Sequence, residues 1–498
     1  MHPSLVVPGS LPPYEAAVFL INNPVACPKG FPLKRILASG AALTAALVAA
    51  AIAVPAGAAS AQNLSHPAQT GPHYYTTKTP YAPQERIGSY QAPPKGFAPV
   101  FAENVVRHGS RAMSDGDDGD AVLAVLQTAQ SQSALTKLGA QLAPQVQALL
   151  AGGSSIGFGN LAGRGVQEQQ GIALRMERRM PTLFSTIAND KEPIKVVTSG
   201  VDRAVASANA FTSGLAAGNS AVAGLIQAPV TNKDLLYFHK QPQNADYQEY
   251  VDNDPDLAAV LAKIDGEPAT AKSAAHVVSR LFTPGFVATM SGDDQISFAR
   301  SLYALYSAVP ALSVEAPNVD LDAFLPAEDA RWFAYLDDAE EFYTKGPSFS
   351  GRTITYDMAG VLLDDLFAKV EAKADGTDDT GAVLRFTHAE EIQPLAVLLD
   401  LPGSTKAAAL DQPYSYQNNP WRGENVAPMS ANIEWDLYAR TSHNGHNGKP
   451  TGSAKGADYL VRMLYNEKET AFKPSCKPIS KGSAFYDLNE LKRCFGKA

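Results

Sequence analysis

Val105-Val106-Arg107-His108-Gly109-Ser110-Arg111 is the stretch from which the rest of the chain can be read. Two β-branched residues close residues 97–106, which read as a strand. Two guanidiniums, an imidazole and a glycine turn follow directly at its carboxyl end. The same arrangement occurs twice more. Residues 193–198, Pro-Ile-Lys-Val-Val-Thr, read as a short buried strand; Ser199-Gly200 and a helical pattern over 201–215 follow, carrying Arg203. Residues 381–386 read as a third apolar strand, followed by Thr387-His388-Ala389-Glu390. Ligands of largely parallel α/β sheets bind outside the carboxyl ends of the strands. If these three strands are neighbours, Arg107, Arg111, Arg203, His108, His388 and Glu390 meet at one place.

That set of side chains suits phosphoryl transfer. A phosphomonoester carries nearly two negative charges, which must be held and spread over its equatorial oxygens during attack. Arginine's planar fork donates two bonds to phosphate oxygens and keeps its charge. An imidazole nitrogen can take the phosphoryl group and yield it to water. A carboxylic acid can protonate the leaving oxygen. Each residue alone also has a plainer reading. Arg203 would be a surface ion-pair partner and His388 a satisfied core histidine. Ser199 with Asp202, and Thr387 with Glu390, have capping-box spacing. The order of the three segments, each after a strand, favours the shared site.

The chain is 498 residues long, more than one average domain, and its formal charge of −9 argues against a general nucleic-acid binder. A polyanionic substrate would need a local basic pocket within an acidic protein. Helical patterns cover about 120–131, 134–151 and 165–189. Between 216 and 375 the chain is mostly helical, at about 256–264, 269–282, 293–308, 327–344 and 356–374. Further strands are expected at 433–440 and 459–467. The expected fold is α/β: a mostly parallel central sheet flanked by helices, built from 95–215 and 376–498, with an inserted α-helical cap domain over 216–375. Residues 62–94 read as an extended lead-in.

Residues 1–61 read as a signal region. Lys34 and Arg35 precede an apolar run over 36–54, and Ala59-Ser60-Ala61 offers a cleavage site before Gln62. A membrane anchor is the alternative. Residues 1–33 are unusual ahead of a signal and suggest a start codon placed too early. No other stretch is long and apolar enough to span a bilayer. The mature protein is therefore expected in the medium or cell envelope, without membrane contact. Cys27 precedes the signal, and Cys476 with Cys494 form an even pair suited to a disulfide after export.

With these residues in place, the chain resembles the histidine acid phosphatase branch of the histidine phosphatase superfamily. Arg107-His108-Gly109-Ser110-Arg111 matches its RHGxR motif, and His388-Ala389-Glu390 matches the HAE form found in multiple inositol polyphosphate phosphatases and related phytases. Ser199-Gly-Val-Asp-Arg203, then Ser207, Ala208 and Phe211, resembles the segment bearing a third phosphate-binding arginine. Gly157–Leu161 with 165–179, and then 426–432 with 461–467, extend the likeness, which runs from about 98 to 494 and is weak across the helical insert. The resemblance implies that His108 is the nucleophile and Glu390 the proton donor. It implies that Arg107, Arg111, Arg203 and His388 hold phosphate, with no metal or cofactor. Many members have a proline where this chain has Met113, which bears on loop shape. The substrate would be a small phosphorylated molecule, an inositol polyphosphate such as phytate by this likeness. A broad-range acid phosphatase, a phosphoryl transferase and a non-catalytic phosphate-binding surface protein are the rival readings.

Several signals are set aside. Gly157-X-Gly159 lacks the spacing, the preceding strand and the later acid of a dinucleotide loop. His443 and His446 lie in a polar, Gly-rich loop rather than a metal site. Residues 115–120 lack the closing glutamate of a calcium loop and are expected to face solvent. Arg175, Arg178 and Arg179 are expected on a solvated helix face, with lining of the substrate cleft as the alternative.

Overall fold

The computed structural model describes residues 73–441 and 458–497. Its strands form one sheet in the order β3-β2-β4-β1-β5-β6-β7, with β8 paired to β6. The strands are β1 (Phe97–Arg107), β2 (Ile194–Thr198), β3 (Val230–Thr231), β4 (Ala382–Thr387), β5 (Asn432–Arg440), β6 (Tyr459–Tyr465), β7 (Lys468–Thr470) and β8 (Phe485–Asp487). The pairs β2–β3, β2–β4 and β1–β4 are parallel. Beyond β1 every pairing is antiparallel. The expected parallel arrangement thus describes the half of the sheet in which the three motif-bearing strands lie side by side. β4, between β2 and β1, is buried along its whole length, as a parallel strand covered on both faces must be.

The pleat of β1 divides the interior. Ala102 and Val106 join a core with Ile172, Leu183, Phe184 and Phe211, which lie on helices against one face. Phe101 and Val105 join a second core that extends into the helices of 233–374. Successive residues of a strand point to opposite faces, so one sequence run serves both cores.

The helices preceding and following β2 are α1 (Asp117–Ser131), α2 (Leu142–Ile156), α3 (Gly163–Arg179), α4 (Pro181–Asp190) and α5 (Asp202–Gly218). The periodic stretch 165–189 is two helices, not one. Pro181 has no N–H to give a preceding turn and takes the first position of α4 instead. Helix α2 begins at Leu142, later than the pattern at 134 suggests, after a 3-10 turn over Gly139–Gln141. Pro255–Asp265, Pro268–Leu281, Gly292–Ala308, Ala327–Thr344 and Gly360–Ala374 are helical where the pattern places them. The two residues of β3 are too short a strand to leave a signature.

The arginines of α3 are not a solvated row. Arg175 makes a two-pronged contact with Glu467 at 2.7–3.0 Å. The Arg179 side chain, 3% exposed, reaches Glu434 at 2.7 Å and Asp436 at 3.0 Å. Arg178 alone stays exposed. The acidic residues Asp115, Asp117, Asp118 and Asp120 are exposed, and the last three lie in the first turn of α1, where negative charge suits the helix dipole. Cys476 and Cys494 form a disulfide that ties the helix Leu488–Phe495 to the preceding loop. No helix of the described residues is long and apolar enough to cross a membrane. The signal region, Cys27, His443 and His446 lie outside the described residues.

Candidate active site

Register brings the motif residues together. Val106 and Thr198 both pair with Phe386, and the ladder continues past the strand ends. The His108 N–H donates to Thr387 O at 2.8 Å, and the Ser199 N–H donates to Phe386 O at 3.1 Å. The His108 and His388 rings consequently meet edge to face, with centroids 5.4 Å apart.

The loop after β1 presses onto the start of α3. A Cβ added at Gly109 would lie 2.7 Å from Gly165 Cα and O, and one added at Gly165 would lie 2.3 Å from Ser110 O. Only two glycines allow that approach. The buried Glu168 carboxylate then fixes the loop. It accepts from the Ser110 N–H (2.9 Å) and hydroxyl (2.8 Å), the Tyr81 N–H (3.1 Å) and the Ser430 hydroxyl (3.0 Å). Gln169 Nε2 donates to Arg107 O at 2.9 Å. Glu168→Ala would leave four buried donors without their acceptor, so a loss of about 3–5 kcal/mol is expected, read as a lower denaturation midpoint at unchanged slope.

His108 is nearly sealed from solvent, and its Nδ1 lies 2.9 Å from Gly109 O. A carbonyl can only accept, so Nδ1 carries the proton and the Nε2 lone pair is bare. Burial, then the charges of Arg107, His388, Arg203 and Arg111, hold the His108 pKa well below its ordinary value. The imidazole therefore stays neutral into the acid range. His388 is pushed down to about 3 by burial and by Arg203. Its Nε2 lies 2.8 Å from the Ser199 hydroxyl. Ser199 thus serves His388 and does not cap α5, whose N-cap is Val201. Gly200 carries the chain through that corner at φ 76°, in the left-handed region that favours glycine.

The guanidiniums are partly anchored and partly unspent. Arg107 Nη1 donates to Thr77 O and Ala427 O, both at 2.5 Å. Thr77 of the lead-in therefore helps anchor the site. Arg111 Nη1 donates to Ala112 O at 2.7 Å. Yet Arg107 Nε, Arg111 Nε, Arg203 Nε and His388 Nδ1 are buried with no hydrogen-bond partner. Burial and the charges of Arg203 and Arg107 lower the Arg111 pKa to about 10. Buried polar atoms are nearly always paired, and like charges seldom gather without a counterion. These four unpaired nitrogens belong to the four residues whose charges bear on the His108 imidazole, and an oxyanion there can satisfy them.

Glu390 lies in the first turn of the helix Ala389–Leu398, whose N-cap is His388 with no side-chain cap. The Thr387 hydroxyl lies 2.8 Å from Leu236 O and 2.9 Å from Glu391 Oε2, so Thr387 and Glu390 form no capping box. The Glu390 side chain is 28% exposed, and Lys345 Nζ stands 3.3 Å from its Oε1. Burial pushes the Glu390 pKa up, but Lys345, His239 and His388 outweigh it and hold it well below the usual carboxylate range.

All six predicted residues meet at this end of the sheet. The structure adds others. Lys345 also pairs with Glu341 at 2.7 Å. Glu391, fully buried, accepts from His239 Nδ1 at 2.6 Å. The Tyr237 ring packs edge-on against both His239 and His388. None of these belongs to a motif, and all but Glu391 come from the helical stretch, whose periodicity reports only which face is buried.

Comparison with known proteins shows the family of the chain. Residues 101–466 match the family described as histidine phosphatase superfamily, branch 2. Among curated proteins none matches. The multiple inositol polyphosphate phosphatase of Bifidobacterium longum, solved in complex with phosphate, is 31% identical with a TM-score of 0.78, covering 85% of this chain and 97% of that one. The same enzyme with inositol hexasulfate gives 31% identity, a TM-score of 0.76 and the same coverage. The phytase of D. castellii shares the fold at 16% identity and a TM-score of 0.61, covering 89% of each chain.

Proposed function

The chain belongs to branch 2 of the histidine phosphatase superfamily and is a phosphomonoester hydrolase; from that premise we propose that it hydrolyses inositol polyphosphates such as phytate through a phosphohistidine at His108. The observation that carries this reading is the set of buried, unpaired nitrogens on Arg107, Arg111, Arg203 and His388, the residues whose charges bear on the His108 imidazole. A phosphoryl group centred there would receive the donors that phosphoryl transfer demands. The relative solved with phosphate and with inositol hexasulfate supports the substrate class.

In the first step His108 Nε2 forms a bond to phosphorus as the P–O ester bond breaks. The electron pair leaves with the ester oxygen, which takes a proton from Glu390. The Nδ1–H bond to Gly109 O steadies the ring as it becomes cationic. In the second step water attacks phosphorus, its proton passes to Glu390, and the electron pair of the P–N bond returns to Nε2. Alcohol and free phosphate are the products. Export, followed by a place in the medium or cell envelope, belongs to the same reading and rests on the signal-like sequence together with the disulfide.

The reading is tested by comparing phosphate release from phytate, glycerol 2-phosphate and an aryl phosphate. A clear preference for phytate in kcat/KM is expected. Equal rates on all three would leave a broad-range acid phosphatase instead. The pH profile follows from the two groups. His108, depressed, supplies its lone pair in acid. Glu390 must be protonated to donate, so the rate falls as pH rises through its titration in the complex. The rate on glycerol 2-phosphate should be greatest on the acid side of neutrality. A flat rate from acidic to strongly alkaline pH contradicts this assignment.

A further inference from the structure

The ion pair across the leaving-group side of the site goes beyond the phosphate cradle. Lys345 directly follows the helix Ala327–Thr344, and its side chain is 21% exposed. Its Nζ stands between Glu341 at 2.7 Å and Glu390 at 3.3 Å. The acid expected to reach the leaving oxygen is thus held by a cation in the free protein. A cation at that distance favours the ionised carboxylate, which cannot donate. Taking the cation away would let Glu390 hold its proton to higher pH.

Resting on the inositol-polyphosphate reading above, we infer that Lys345 is a specificity-determining residue that binds a second phosphate of the substrate and, in doing so, releases Glu390 to act as the acid. The scissile phosphate occupies the arginines at His108. Glu390 must face the leaving oxygen, so Lys345 beside it faces the ring carbons next to that oxygen. On an inositol polyphosphate those carbons carry phosphates, each a stronger partner for an ammonium than one carboxylate. The lysine's flexible stem and rotatable donors permit the exchange. A simple monophosphate offers nothing there and leaves Glu390 paired.

Besides Lys345, the groups facing Glu390 are Arg107, Arg111, His239, His388 and Glu391, with the neutral phenols of Tyr237 and Tyr247; Arg203 faces His388 and Glu341 faces Lys345. Both substrates meet the same set. The change in Glu390 therefore follows from Lys345 and the arriving phosphates.

The test is the pH dependence of kcat, which reports the substrate complex, for phytate and for glycerol 2-phosphate. In the wild type the descending limb for phytate is expected about one pH unit above that for glycerol 2-phosphate. In Lys345→Met the limb for glycerol 2-phosphate moves up and the gap closes, while KM for phytate rises about tenfold relative to that for glycerol 2-phosphate. Lys345→Arg keeps the cation and should keep the gap. Thermal melts establish which variants are folded, and the wild-type gap needs no variant at all. Coincident wild-type limbs, a gap that survives in Lys345→Met, or one lost in a folded Lys345→Arg overturns the inference. Release of phosphate from glycerol 2-phosphate but not from phytate in the wild type would instead sink the inositol-polyphosphate reading beneath it.

Discussion

Replacing His108 by alanine is expected to lower kcat by roughly 10⁴–10⁶ and to abolish the acid-labile labelled protein seen when the wild type is quenched in mid-turnover. The size of the effect follows from what the imidazole alone supplies. Its Nε2 is bare because Nδ1 is committed to Gly109 O, and it stays bare in acid because burial and the cations around it disfavour a ring proton. An ordinary histidine would be largely protonated at the pH where a carboxyl carries its proton. The cluster that binds phosphate therefore also keeps the nucleophile bare at the acidic pH where a carboxyl carries its proton. Alanine removes the lone pair but not the guanidiniums, so KM should change far less than kcat. Activity retained in His108→Ala, or acid-labile label on another residue, would refute the assignment.

The parts of the site that were legible in the sequence are those set by backbone register. Arg107, His108, Arg203, His388 and Glu390 follow strands, and strands β2, β4 and β1 lie adjacent and parallel, so short local motifs converge without any fine knowledge of packing. Side-chain allegiances were not legible. Ser199 had two partners within reach, a helix terminus and His388, and its spacing to Asp202 suggested the former. Burial beside His388 decided for the latter. Arg179 looked like a surface residue because the carboxylates that bury it, Glu434 and Asp436, lie more than two hundred and fifty positions away. Thr77 gave no signal, since it acts through its backbone carbonyl, which every residue possesses. Lys345 is one lysine at the end of a helix, and only the fold shows which carboxylates it faces.

The largest effect that depends on the leaving group should appear in Glu390→Gln. For an alkyl phosphate such as glycerol 2-phosphate, the departing alkoxide is a strong base, and losing the proton donor is expected to cost about 10²–10⁴ in kcat. For an aryl phosphate whose phenolate leaves without a proton, the first step needs no acid, and the loss should be far smaller. The phosphorylated protein should then accumulate on the aryl substrate, because water still has to be deprotonated to attack it. Binding should move the other way. Glu390 is held ionised in the free protein, where it repels an incoming phosphate. The neutral amide removes that repulsion and leaves Lys345 with Glu341 as its carboxylate partner, so KM should stay level or fall. A merely structural role for Glu390 would slow both substrates alike and raise KM. Single-turnover rates on the two substrates, with phosphoenzyme measured in the same quench, distinguish these outcomes. Equal losses on the alkyl and the aryl ester would remove Glu390 from the proton path.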